Sequence, residues 1–301
     1  MIGTRGSPLA LAQAHQLRQR LAAAHGVEEA AFPIEIIKTT GDAIQDRPLA
    51  DAGGKGLFTK ELDTALVNGA IDIAVHSAKD LPTILPDEID ILGYLPREDV
   101  RDVWISLKGD HPRALPQGAT VGTASLRRGA MVKRLRPDLN ITLLRGNVET
   151  RLNKVLRGEV DATLLALAGL KRLGLADKAT SLLDCGEFLP AVGQGAIAIT
   201  GRRDDPAAAA ALAPIIDAAT GIALRCERAL LRVLDGSCRT PIGGLARLDG
   251  SDVVLQAMIL RPDGSQSFET ERRGPHSEAE AIGEDAARQL LAAAPRGFLQ
   301  P

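Results

Sequence analysis

Short apolar runs alternate with helical patterns over the first 200 residues, and this alternation constrains the fold more than any other feature of the chain. Several runs are apolar at nearly every position, which is typical of parallel strands covered on both faces. The predicted strands are 34–40, 71–76, 102–107, 120–124, 141–144, 162–166 and 196–200. A helical pattern over 55–68 ends at Gly69. Strands and helices in alternation predict an α/β architecture.

Two soft breaks interrupt this pattern. One lies at 95–102, where Pro96 and five charged residues follow an apolar run, and the other at 188–195, which contains Pro190 and two glycines. The chain beyond Pro214 has a different pattern. It predicts a helix, a loop, a strand and a second helix, at 218–234, 235–244, 252–259 and 277–294. That tail is typical of a small α+β domain.

The net charge of the whole chain, −2, argues neither for nor against nucleic acid, but the distribution of charge is informative. Residues 121–157 contain nine Lys or Arg and two acids, a surplus of seven positive charges. An anion site in this segment is the interpretation we favour.

The three cysteines, Cys185, Cys226 and Cys238, form no Cys-x-x-Cys pair and have no nearby His at metal-binding spacing. A sparse, odd count predicts free thiols in a reducing compartment and no metal site. We find no signal-peptide pattern at residues 1–10 and no uninterrupted apolar stretch of membrane-spanning length. The expectation is a cytoplasmic protein without a membrane or nucleic-acid partner.

Arginine recurs at three predicted strand-to-helix turns. The helix N-terminus at each turn attracts anions, and a guanidinium binds carboxylate or phosphate with two parallel hydrogen bonds. For any single turn, pairing of the Arg with a nearby acid is the more common outcome. Three such turns together favour an anion site. Their capping residues and arginines are Ser7 with Arg5, Ser125 with Arg127 and Arg128, and Asn147 with Arg145 and Arg151.

Two further segments could carry chemistry. Lys79 and Asp80 follow a predicted strand, where ligands bind in open α/β sheets, although a surface ion pair is the more common fate of such a dipeptide. Cys238 lies in a loop beside Arg239, which favours the thiolate, although an inert cysteine has the better prior from these residues alone. The glycine-rich stretch 53–56 lacks the spacing of a phosphate loop.

Taken together, ten segments in this order resemble the porphobilinogen deaminase family over nearly the whole chain. Each segment alone is only moderately specific. They are 2–13, 38–42, 53–61, 74–80, 121–128, 144–147, 150–152, 167–173, 190–196 and 236–243. The chain departs from the common pattern at Ala124, Ser237 and the pair Arg239-Thr240, and none of these changes removes Cys238.

The resemblance implies two lobes similar to the halves of a periplasmic binding protein, joined by two crossings, and a third, small α+β domain. The implied domain limits are 1–95 with 196–213, 101–189, and 217–301. The implied activity is that of a transferase that joins four porphobilinogen molecules head to tail into hydroxymethylbilane and releases ammonia. The implied cofactor is a dipyrromethane bound covalently to the protein, and the implied state is a monomer.

The resemblance also implies a role for individual residues. Asp80 would be catalytic and Cys238 would hold the cofactor through a thioether. The residues implied to bind the cofactor carboxylates are Lys79, Ser125, Arg127 and Arg128. Those implied to bind incoming rings are Arg5, Ser7, Arg145, Arg151 and Arg172. Lys55 and Phe58 would lie on a lid loop, where Phe58 can stack on a pyrrole.

Two other classes of protein compete with this interpretation. A solute-binding protein shares the two-lobed plan, but it predicts a secretion signal and gives Cys238 no task. A nucleic-acid binder could use the basic segment 121–157. It predicts aromatic stacking residues, yet aromatic residues are only 2% of the chain. We rank it below the solute-binding protein.

Overall fold

A computed structural model describes residues 1–43, 56, 58–234 and 241–299. The strands are β1 (Ile2–Arg5), β2 (Ile34–Ile37), β3 (Ile73–Ser77), β4 (Ile89–Tyr94), β5 (Asp102–Ser106), β6 (Thr120–Gly122), β7 (Asn140–Thr142), β8 (Ala162–Ala166), β9 (Ser181–Leu182), β10 (Ile197–Arg202), β11 (Ile242–Asp249), β12 (Asp252–Leu260) and β13 (Ser267–Pro275). The helices are α1 (Pro8–His25), α2 (Thr40–Ala43), α3 (Lys60–Val67), α4 (Leu126–Leu135), α5 (Val148–Leu156), α6 (Leu167–Arg172), α7 (Pro206–Leu212), α8 (Ala218–Val233) and α9 (Ala279–Ala293).

Two five-stranded sheets form two lobes. The first has the order β2-β1-β3-β10-β4, in which β1 is parallel to β2 and β3 while β10 is antiparallel to β3 and β4. The second has the order β7-β6-β8-β5-β9, in which β6 is parallel to its neighbours and β5 is antiparallel to its own. The two sheets therefore share one plan, with the antiparallel strand in the fourth position.

The chain crosses between the lobes twice. It leaves the first sheet after Tyr94 and enters the second at Asp102, and it returns between Leu182 and Ile197. The two crossings touch, because the Glu98 amide donates to the Gly195 carbonyl over 3.2 Å. Gly195 has a φ of 86°, and a Cβ there would lie 2.4 Å from the Glu98 carbonyl oxygen. The domain limits given above stay a prediction.

The third domain packs against both lobes. Its antiparallel sheet has the order β11-β12-β13, and helices α8 and α9 pack against it. One apolar cluster joins third-domain residues to Tyr94 and Ala198 of the first lobe. A second cluster joins Leu245 and Met258 of the third domain to Met131 of α4 in the second lobe. The small third domain thus contacts both lobes.

The predicted fold class, two α/β lobes with a small α+β domain, is confirmed. The helix predicted over 55–68 is wrong at its start. Gly56 has a left-handed φ of 86°, residues 58 and 59 lie in a turn, and α3 begins only at Lys60. Strands β4, β9, β11 and β13 were not predicted.

Within the ranges described, no single helix is long and apolar enough to cross a membrane. Segments Pro206–Ile215 and Ala218–Val233 reach that length and apolarity only as a pair, and they are bent by 114°.

Candidate active site

The first lobe presents its site residues at the ends of two adjacent strands. Strand β1 ends at Arg5, and Ser7 caps α1 by accepting a hydrogen bond from the Ala10 amide at 3.3 Å. Strand β3 ends at Ser77 and passes into a single 3-10 turn that carries Lys79 and Asp80. Because β1 and β3 are parallel neighbours, these residues share one edge of the sheet.

The second lobe contributes two arginines from the first turn of α4. Ser125 caps this helix by accepting from the Arg128 amide at 3.3 Å. The side chains of Arg127 and Arg128 are only 5% and 7% exposed, and both bind the carboxylate of Asp102 at the start of β5. Arg127 donates to Oδ2 at 2.7 Å, while Arg128 donates to Oδ1 from Nη2 at 2.7 Å and from Nε at 3.2 Å.

One carboxylate faces two guanidiniums here, so a buried positive charge is left over. Asp102 is fully buried, which alone would raise the pKa of its carboxyl, but Arg127 and Arg128 hold that pKa far below its usual value. The carboxyl is therefore ionised at neutral pH. Among the described residues, the buried Nε of Arg127 has no hydrogen-bond partner, so the cluster also retains a donor that an anion could satisfy.

Lys79 reaches this cluster from the other lobe. Its Nζ donates to Oε1 of Gln194 at 3.3 Å, and Nε2 of Gln194 donates to Oδ1 of Asp102 at 2.8 Å. Part of the Lys79 side chain stays exposed to solvent. The surrounding protein displaces much of the bulk water, and together with the guanidinium of Arg128 this desolvation lowers the pKa of Lys79 to about 8.

The remaining arginines lie around the same cleft. Desolvation and the charges of Arg128 and Arg145 lower the pKa of Arg151 to about 10, while Asp80 opposes this shift. Arg151 thus lies close to Arg128 of α4, to Arg145 and to Asp80 of the β3 turn. Arg172 donates to the Gly195 carbonyl at 2.7 Å, which places it against the return crossing.

Phe58 lies under Arg5, with the guanidinium carbon 4.0 Å from the ring centroid, a cation–π geometry. This contact brings the described end of the predicted lid to the edge of the first sheet. Lys55 and Cys238 lie outside the described residues, as does Arg239.

His76, near the end of β3, is a packed histidine. It is 5% exposed and its Nε2 lies 3.1 Å from the Thr200 hydroxyl. Burial, with a smaller contribution from Arg5, lowers the pKa of His76 to about 3, so the ring is neutral. Cys185 and Cys226 are free and buried.

The sequence predictions missed Asp102 and Gln194. Asp102 was assigned only as the first residue of a strand, and Gln194 only as part of a matching segment. A charged residue that opens an otherwise apolar strand was the available indication of a buried counter-ion. Its partners are 25 and 26 positions away along the chain, which periodicity does not reveal.

Two family models match this chain. Residues 1–210 match the family model "Porphobilinogen deaminase, dipyromethane cofactor binding domain", and residues 222–292 match "Porphobilinogen deaminase, C-terminal domain". The chain belongs to the porphobilinogen deaminase family. The expected transferase of tetrapyrrole biosynthesis and its dipyrromethane cofactor are thereby confirmed at the level of the family.

Curated porphobilinogen deaminases are similar over almost the full chain. The one from Nitrobacter winogradskyi is 61% identical over 289 residues, covering 96% of this chain and 92% of the relative. The one from Nitrobacter hamburgensis is 60% identical with the same coverage.

Solved structures give only weak likenesses. A periplasmic VFT2 domain of Bordetella pertussis BvgS is 20% identical, with a TM-score of 0.37 over 68% of this chain and 76% of that one. A YaeC-family lipoprotein from Enterococcus faecalis is 14% identical, with a TM-score of 0.40 over 73% of this chain and 93% of that one. Family membership therefore rests on the sequence matches.

Proposed function

We propose that this chain joins four porphobilinogen molecules head to tail into hydroxymethylbilane, with Cys238 as the covalent anchor of the dipyrromethane. The observation that carries this proposal is the charge imbalance at the cleft. Arg127 and Arg128 both bind the single carboxylate of Asp102, and Lys79 is linked to the same carboxylate through Gln194. Uncompensated buried charge is costly, so such a cluster favours an anionic ligand.

A dipyrromethane fits this donor set, because each of its two rings carries an acetate and a propionate. Lys79, Ser125, Arg127 and Arg128 would hold these carboxylates. Ser125 uses its oxygen as an acceptor for the helix cap, which leaves its hydroxyl hydrogen to donate. When bound, the cofactor supplies a pyrrole α-carbon that is the nucleophile for the first incoming ring.

Asp80 is the group we assign to the chemical steps. Loss of ammonia from porphobilinogen spreads positive charge over the pyrrole ring, and a fixed carboxylate stabilises this charge. The same carboxylate can accept a hydrogen bond from the pyrrole N–H and take up a proton. Its position beside Lys79 and near Arg151 keeps it within the cationic cleft, at the end of β3.

Arg5, Ser7, Arg145, Arg151 and Arg172 are proposed to hold the carboxylates of incoming rings. Arg5 already lies against the ring of Phe58, so a pyrrole could replace the guanidinium on that aromatic face. Every added ring brings two more carboxylates, which is why the chain growing on one cofactor requires many cationic side chains. We also propose that the enzyme is a cytoplasmic monomer, in keeping with the free Cys185 and Cys226.

The intact mass of the denatured protein tests this function. The native chain and a Cys238→Ala control are both expressed in cells that supply porphobilinogen. We expect an excess mass of two linked pyrroles in the native chain and the bare mass in the control. A bare mass in both, persisting after incubation with porphobilinogen, would remove Cys238 as the anchor and favour the solute-binding protein.

Asp80→Asn tests the chemical role separately. We expect this variant to fold and to carry the cofactor mass, while turnover falls by about 10²-fold or more because the ring charge loses its counter-charge. Asp90→Asn, at an exposed ion pair with Arg203, is the matched control and should keep its turnover. Normal turnover in Asp80→Asn would exclude Asp80 from the mechanism.

A further inference from the structure

Gln194 is a buried amide on the return crossing, and its side chain reaches both lobes. It is 1% exposed. Its Nε2 donates to the Val100 carbonyl and to Oδ1 of Asp102, each at 2.8 Å. Its Oε1 accepts from Nζ of Lys79 at 3.3 Å. One amide therefore touches the first crossing, the second lobe and the first lobe.

The orientation of this amide is fixed by the chemistry of its partners. The Val100 carbonyl and the ionised Asp102 can only accept, while the ammonium of Lys79 can only donate. Both hydrogens of the amide nitrogen are used, and a flipped amide would place like groups against each other. Gln194 thus holds the ammonium of Lys79, in the first lobe, at a fixed distance from the carboxylate of Asp102, in the second lobe.

The backbone around Gln194 is anchored independently of its side chain. The Gly193 amide donates to Glu227 at 2.7 Å, and the Gln194 carbonyl accepts from Nε of Arg97 at 3.0 Å. The Gly195 carbonyl accepts from the Glu98 amide. A side-chain substitution at 194 consequently leaves the contacts that hold the two crossings together.

We propose that Gln194 is a positioning residue, which sets Lys79 against the Asp102–Arg127–Arg128 cluster so that both lobes bind the carboxylates of one cofactor. The effect on cofactor binding rests on the proposed function, whereas the hydrogen bonds of Gln194 do not. Since Gln194 bonds Lys79 directly, its removal changes the environment of that ammonium even in a chain without cofactor.

The test compares Gln194→Met with the native chain, using full-length protein purified from cells that make no porphobilinogen. The first measurement is the pH midpoint of Lys79 acetylation by trace acetic anhydride, followed by peptide mass spectrometry. The second is the rate at which the intact mass rises after porphobilinogen is added. Gln13→Met is the matched control, because Gln13 is equally buried and bonds Ser77 within the first lobe.

We expect Gln194→Met to lower the Lys79 midpoint by about one pH unit, since an acceptor for its charged form is lost. We expect the mass gain to slow about tenfold. Gln13→Met should change neither value. If Gln194→Met does not fold, Gln194→Asn, one methylene shorter, takes its place, because it cannot span Lys79 and Asp102 together.

An unchanged Lys79 midpoint in the Gln194 variant would overturn the proposal and leave Gln194 a merely structural residue. A shifted Lys79 midpoint with an unchanged rate of mass gain would also overturn the proposal. Binding of the cofactor carboxylates would then not depend on the contact between Gln194 and Lys79. If the native chain gains no mass, the proposed function fails, while the midpoint still decides whether Gln194 positions Lys79.

Discussion

Asp102→Asn is the most informative single substitution for the stability of the second lobe. The native carboxylate accepts four hydrogen bonds, two from Arg128, one from Arg127 and one from Gln194. The amide of Asn keeps the shape but has only one oxygen. Its NH2 group would face a guanidinium or the Gln194 amide donor to donor, and both guanidiniums would be left without a counter-charge.

The expected loss follows from the burial of this group. Removing one partner of a buried ion pair costs about 3–5 kcal/mol, and Asp102 is 0% exposed. The pH dependence has a definite sign. The pKa of Asp102 is lowered in the folded chain by the two guanidiniums, so the unfolded chain takes up a proton first as the pH falls. The stabilisation is complete above pH 5 and decreases from about pH 4 downward.

Urea unfolding at pH 7 and at pH 3 measures both effects. We expect Asp102→Asn to unfold at a markedly lower urea concentration at pH 7, and the gap to the native chain to narrow at pH 3. Asp138→Asn is the control, because Asp138 forms a similar two-bonded pair with Arg136 on the surface. Equal losses in the two variants at pH 7 would refute the argument from buried charge.

Two further predictions concern the crossings between the lobes and the cationic cleft. Gly195→Ala should destabilise the chain by several kcal/mol more than Gly174→Ala. Both glycines have a positive φ, but only at position 195 would a Cβ lie against the Glu98 carbonyl. Equal unfolding midpoints of the two variants would contradict this. Cofactor loading should slow as the pH rises through about 8, because Lys79 loses its charge there. Lys79→Arg should abolish this pH dependence, since a guanidinium keeps its charge. An unaltered pH profile in Lys79→Arg would exclude Lys79 as the group that controls loading.

Much of the fold follows from apolar patterning, and the exceptions have physical reasons. The inner strands β3, β5, β8 and β10 are buried on both faces, so they appear as apolar runs. Strand β13 (Ser267–Pro275) was missed because its residues are largely polar and half-exposed, which gives no apolar run. Strand β11 begins Ile242-Gly-Gly, and glycine is depleted in strands.

The candidate site was predictable in its residue types but not in its pairings. The turn at Ser125 predicted arginines poised for an anion, with pairing to an acid as the alternative. The structure shows pairing with an acid, since Arg127 and Arg128 share Asp102 and keep a surplus positive charge, while the anion site stays a prediction. Which acid they share depends on how β5 lies beside β8, a tertiary relation that no local pattern contains.

The place of β10 in the first sheet has a consequence for synthesis. This strand lies between β3 and β4, yet it follows the whole second lobe in the chain. As the polypeptide emerges from the ribosome, all five strands of the second sheet are available by residue 182, whereas the first sheet lacks an inner strand until residue 202. Of the two lobes, the one whose synthesis begins first is therefore the one whose sheet is completed last, and until then β3 and β4 present unpaired edges.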